Sequence, residues 1–203
     1  MTTDPTTARS TSGPTSATAT VTAADATAAF ARRDQPIGRL AADAPALAAA
    51  CHAMARRFHR GGRLLAFGTG LSAADAAHVV VEFVHPVIIG KRALPALVLP
   101  GTSGGFAAEV QLFGDPQDIA LAIAADGGDD SVAAGLAAAR DRGMLTVALL
   151  GDAPGPVARL EGLDHVLAVP SPDPRVVREG HVTTYHVLWE LVHVFLDAPE
   201  VLA

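Results

Sequence analysis

The sequence predicts an α/β fold, a doubly wound five-stranded parallel sheet flanked by helices. Five short apolar runs, Arg63 to Phe67, Ala96 to Leu99, Ile119 to Ala124, Leu145 to Leu150 and His165 to Val169, are continuous rather than alternating, as strands buried on both faces are. Helix-length segments such as Ser131 to Arg142 lie between them, which suits crossovers joining parallel strands. The 203 residues are enough for one such domain with a substantial core and short for two.

Taken in order, Met1 to about Asp25 is Thr, Ala and Ser with Pro5, Gly13 and Pro14, and has too little apolar surface to offset the entropy of ordering. A disordered tail is expected over residues 1–25, with the folded domain over residues 26–203. Ala26 to Arg33 reads as a short helix that Pro36 interrupts. Ala44, Leu47, Cys51, Met54 and Phe58 recur every three or four residues, the apolar face of an amphipathic helix. Asp43 is its expected N-cap, Pro45 is tolerable near its start, and Gly61 and Gly62 end it. A long closing helix is expected from Pro174 to Leu196, with Gly180 weakening its first turns and Pro199 beyond its end.

Composition narrows the function classes. A formal charge of −6 with scattered Lys and Arg argues against a nucleic-acid surface, and one Tyr and one Trp argue against a base-stacking platform. No apolar run reaches the roughly 18 to 20 residues of a membrane span, and no secretory signal stands at the start. The single cysteine, Cys51, excludes an internal disulfide and points to a reducing cytoplasm.

Two stretches carry the chemistry. Gly68, Thr69, Gly70, Leu71 and Ser72 follow a strand and open a helix, so backbone N–H groups are expected to face an anion there. Gly68, Gly70 and Ala73 also fit a dinucleotide fingerprint, but the acid that pattern needs after the next strand is absent, because the chain there reads Leu99, Pro100, Gly101. The turn also fits a bend that uses glycine only for its backbone angles. The helix after it carries His78, Glu82 and His85, and the closing helix carries His186, Glu190 and His193 at the same spacing of four and then three. Offsets of four and seven residues from the first histidine rotate by about 40° and about −20°, so each trio shares one helix face. Mixed nitrogen and oxygen donors suit zinc, and also iron, nickel or cobalt; histidines that merely pack at helix ends and interfaces fit the pattern too. Parallel sheets bind ligands beyond the carboxyl ends of their strands, which places Gly68 to Ser72 and Asp126 to Ser131 at the expected edge. Asp126, Asp129 and Asp130 fit an ordinary solvated turn as well.

From about Ile37 to Asp197 the chain resembles the sugar isomerase (SIS) domain, and within it the phosphoheptose isomerase family. That family's first loop reads G-N-G-G-S before a helix with H-x-x-x-E; here the loop is G-T-G-L-S, and His78 and Glu82 fall at the matching positions. His186 matches the catalytic histidine of the final helix, and Arg140 to Gly151 adds to the likeness. The resemblance implies the SIS fold and a homo-oligomer, dimer or tetramer, with sites at subunit interfaces. It also implies Glu82 as the base that moves a proton between the first two carbons of an open-chain sugar, with His186 as acid partner. Some members bind zinc through residues matching His78, Glu82 and His186.

The chain departs from that pattern in three places. The family's S-T-S-G-N-S phosphate loop aligns with Ala124 to Asp129, where carboxylates replace hydroxyl donors and repel a dianion. A glutamine expected at the metal aligns with Arg178, whose guanidinium has no lone pair to give. The segment Gly101 to Phe113 is short. The expected function is therefore a metal-dependent aldose–ketose isomerase with an altered phosphate site, acting on a small-molecule ligand such as a sugar phosphate. The ligand residues would be Gly68, Thr69, Gly70, Ser72 and Asp126. The alternatives are a non-catalytic metal- or ligand-binding accessory protein for metalloenzyme maturation, and a structural interaction module.

Overall fold

All five expected strands form: β1 (Leu64–Phe67), β2 (Ala96–Val98), β3 (Ile119–Ala124), β4 (Leu145–Leu150) and β5 (His165–Ala168). They pair in one parallel sheet in the order β2-β1-β3-β4-β5. The computed structural model describes residues 21–102, 104–153 and 155–202. Helices α1 (Ala23–Ala42), α2 (Ala44–His59), α3 (Leu71–Val84), α4 (Gly105–Phe113), α5 (Asp130–Asp141) and α6 (Pro174–Leu196) complete the fold.

Alternation along the strands splits the core. Leu64, Ala66, Ile119, Leu121, Ile123, Val147 and Leu149 face one side, where α2, α3 and α6 pack through Met54, Phe58, Val79, Phe83, Tyr185 and Leu188. Leu65, Phe67, Ala120, Ala122 and Ala148 face the other, covered by α4 and α5 through Phe106, Val110, Val132 and Leu136. Both faces of the central strands β1, β3 and β4 are therefore dry, which is why those strands read as unbroken apolar runs, while the edge strands β2 and β5 are partly exposed. Helices α3 and α6, the two carriers of paired His and Glu residues, lie on the same face.

Four expectations change. The helix expected to stop before Pro36 continues to Ala42, and Pro36 is the one buried residue of α1. Proline removes one backbone donor, but α1 is held by tertiary contacts: Arg33 pairs with Glu179 of α6 at 2.8 Å, and Leu40 packs on Val169 and Val177. The helix also begins earlier, at Ala23, because Thr22 and Asp25 form a reciprocal capping box, so Ala23 to Asp25 are helix rather than tail. Residues 1–20 of the expected tail lie outside the described residues. Gly180 turns out to be needed by α6: a Cβ there would stand 2.7 Å from Val169 Cγ2, so the glycine lets the helix sit directly on the segment after β5. Asp43 precedes α2 without a side-chain capping bond.

Helix α4 was not anticipated in the segment Gly101 to Phe113. Its Glu109 reaches back and accepts bonds from Gly101 N, Thr102 N and Thr102 Oγ1 at 2.9, 2.9 and 2.7 Å, pinning the turn after β2. Burial pushes this carboxyl up, but the bonds from Thr102 and Gly101 outweigh it and hold it below its ordinary value of 4.5. A depressed folded value contributes stability above pH 4.5 that is lost as pH falls through the folded value. Glu109→Gln is expected to cost about 1–2 kcal/mol at pH 7 and to flatten that acid limb, as urea unfolding at pH 7 and pH 3.5 would show. Equal losses at both pH values would refute it.

Candidate active site

The turn after β1 is shaped by close approach more than by backbone angle. A Cβ on Gly68 would meet Ile123 O of the neighbouring strand at 2.6 Å and Ser72 Cβ at 2.9 Å. Only Gly70, next to α3, needs a positive φ, 56°. No side chain caps the start of α3; Ser72 is buried, Thr69 half-buried and Gly70 exposed.

One turn further along α3, Asp75 and His78 face α6. Asp75 is buried, and its carboxylate accepts two bonds from Arg178, Nε at 2.9 Å and Nη2 at 2.8 Å. That pair raises the guanidinium's pKa from its already high value. Beside it the Tyr185 hydroxyl lies 2.7 Å from His78 Nδ1, with the ring fully buried. Burial, with Asp75 and Glu82 nearby, pushes the Tyr185 hydroxyl's pKa well up.

His78 Nε2 in turn lies 3.1 Å from Glu82 Oε1, and His186 Nε2 lies 3.7 Å from the same oxygen. The Glu82 side chain is only 14% exposed, while those of His78 and His186 are 43% and 46% exposed. A carboxylate screened from water is thus flanked by two imidazoles that solvent, or a ligand, can reach. Ligand atoms of these three residues lie within 4.8 Å of one another, and they are the one such group among the described residues.

The remaining expected ligands do not join them. Both ring nitrogens of His193 face backbone carbonyls, Nδ1 to Trp189 at 2.9 Å and Nε2 to Arg92 at 3.1 Å, so this histidine packs α6 onto the segment before β2. His85 is exposed at the C-cap of α3. Glu190 is exposed and shares a shallow depression with Glu82, Val87, His186 and Trp189, but lies outside the triad. Asp126, expected as a ligand residue, is exposed beyond β3, where its Oδ1 accepts from Gly128 N at 3.2 Å. Asp129 caps α5 by accepting from Val132 N at 3.0 Å. Asp126 borders a different depression, with Asp152 and Ser171.

Sequence reasoning missed Tyr185. The signal was present in two spacings: Asp75 stands three residues before His78, and Tyr185 seven after Arg178, so two facing helices each present an adjacent pair.

Residues 35–151 match the family model described as SIS domain. A phosphoheptose isomerase of Roseiflexus sp. is 35% identical over 162 residues, covering 73% of this chain and 81% of that protein. Among solved structures, a phosphoheptose isomerase from Francisella tularensis superposes with a TM-score of 0.74 at 25% identity, covering 85% of this chain and 99% of that one. One from Neisseria gonorrhoeae gives 0.72 at 25% identity, covering 82% and 96%. The fold and the family match thus define a SIS-domain protein. Within that class the chain belongs to the phosphoheptose isomerase family.

Proposed function

We propose that the chain is an aldose–ketose isomerase acting on an open-chain sugar, with Glu82 and His186 as its catalytic pair. The observation that carries this is the Glu82 carboxylate, screened from water and held between His78 and His186. Glu82 takes the proton from C2 of the aldose while His186 gives one to the carbonyl oxygen on C1, forming an enediol. Glu82 then returns its proton to C1 and His186 recovers one from the hydroxyl on C2, which becomes the ketone. Mixing the protein with an aldose in deuterium oxide tests this: deuterium appearing in the ketose at C1 supports it, and conversion or exchange that survives in Glu82→Gln does not.

A metal-dependent form is a second reading, favoured by the convergence of donor atoms on His78, Glu82 and His186. Two imidazoles and a carboxylate are a common set for a catalytic divalent ion such as zinc, with a position left open. Such an ion would polarise the sugar's oxygens. The accessory reading has no separate observation to carry it. A single domain that begins with α1 at Ala23, and a cytoplasmic setting, belong to the same proposal; no helix among the described residues is long and apolar enough to cross a membrane. So does association with a second copy, supported by the exposed Val81 and Val194, which share the triad's two helices, and by Val87 and Ile89 in the loop after α3.

The phosphate end of the substrate is where this chain differs. Asp126 stands exposed and Asp129 already occupies one N–H group of the first turn of α5, that of Val132. We expect Asp126→Ser to raise kcat/KM about ten-fold for a phosphorylated aldose and to leave its unphosphorylated form unchanged. Equal effects on both substrates would remove the phosphate loop from the account.

A further inference from the structure

The hydrogen bonds around His78 have a polarity, and that polarity decides what the triad can do. Tyr185 is fully buried, and its one hydrogen-bond partner among the described residues is His78 Nδ1, at 2.7 Å. A phenol titrates near pH 10, so at neutral pH the hydroxyl carries a proton to donate. On the other side of the ring, Nε2 faces the Glu82 carboxylate at 3.1 Å, and a carboxylate only accepts. One arrangement satisfies every group: Tyr185 O–H donates to Nδ1, and Nε2–H donates to Glu82 Oε1. The other neutral tautomer sets a lone pair against a carboxylate and leaves a buried hydroxyl proton without an acceptor, each a substantial cost.

We infer that Tyr185 is a positioning residue that locks His78 as a hydrogen-bond donor to Glu82, reserving the pair for proton transfer and withholding His78 from a metal ion. This rests on the isomerase reading above. An ion on His78 Nε2 would need that nitrogen's lone pair, so the ring proton would have to move to Nδ1 and the Tyr185 hydroxyl would lose its acceptor. The neighbouring groups do not make up the loss. Arg178 has no lone pair, its two bonds occupy the Asp75 carboxylate, and Glu190, though in the same depression, lies outside the group of converging ligand atoms. What remains for an ion is Glu82 and His186, one protein ligand fewer than catalytic zinc sites ordinarily use.

The test reads the tautomer directly. In uniformly 15N-labelled protein, long-range 1H–15N spectra, assigned by comparison with His78→Gln, are expected to show His78 protonated on Nε2 and bare on Nδ1. Tyr185→Phe keeps the buried ring and removes only the hydroxyl; a thermal midpoint close to that of the unaltered protein would confirm that the fold survives. In that variant the Nδ1-protonated form is expected to grow, kcat to fall about ten-fold with KM within two-fold, and affinity for Co2+ alone, followed by its visible absorption, to rise at least ten-fold. A proton on His78 Nδ1 in the unaltered protein would overturn the inference, as would an unchanged tautomer or unchanged Co2+ affinity in Tyr185→Phe. Failure of the isomerase reading is seen separately, as absence of sugar turnover in the unaltered protein, and would remove the role given to the lock whatever the tautomer.

Discussion

Glu82→Gln is expected to lower kcat for aldose–ketose interconversion by about 10³-fold, the middle of the range that a positioned general base contributes. The amide is nearly the same size and its oxygen still accepts from His78, so the contact within α3, and with it the His78–Tyr185 link to α6, survives while the proton acceptor does not. Unfolding midpoints should move little, since the Glu82 carboxylate lies against two largely open imidazoles rather than within either core cluster. The measurement is deuterium wash-in by NMR, with circular dichroism to confirm the fold. Activity within ten-fold of the unaltered protein would show that another group takes the proton.

The largest stability effect is expected at Phe67, the last residue of β1 and the one immediately before the Gly68 turn. Its ring is fully buried, packs on Phe106 with centroids 5.0 Å apart, and lies against Gly135 of α5, where an added Cβ would come within 3.0 Å of it. Glycine at 135 and phenylalanine at 67 therefore fit as a pair. Phe67→Ala should cost about 4 kcal/mol, roughly 10 °C in Tm, with the urea m-value unchanged. A loss below about 1 kcal/mol would mean that α4 and α5 collapse into the gap.

The sheet was legible because apolar runs leave a plain signal, strongest in the central strands buried on both faces: five runs became five strands, each within a residue of its expected ends. The closing helix likewise ran from Pro174 to Leu196 as expected. Local signals failed where tertiary contacts decide. Proline at 36 marks a break in an isolated helix, but not in one held to α6 by Arg33 and Leu40. In α4, only the fold shows what Glu109 reaches back to hold.

At the site, periodicity placed His78 with Glu82 and His186 with Glu190 on common faces, yet it cannot say how far along each helix the two faces meet. They meet at Glu82 and His186. One heptad on, His193 has passed beneath the Arg92 segment and is spent on backbone carbonyls. The departures at Arg178 and Asp126 were visible as residue types. What they do was not: Arg178 is tied to Asp75 and Asp126 to its own turn, and neither tie follows from spacing.

Cys51 sits in α2 with no exposed surface, and burial pushes its thiol up to about 12. As the only thiol in the chain, it stays silent toward alkylating reagents while α2 lies on the sheet and reacts only when that helix lifts. The molecule thus carries its own breathing gauge. The labelling rate at one defined position counts how often the face that supports α3 and α6 comes open, with no probe to be engineered in.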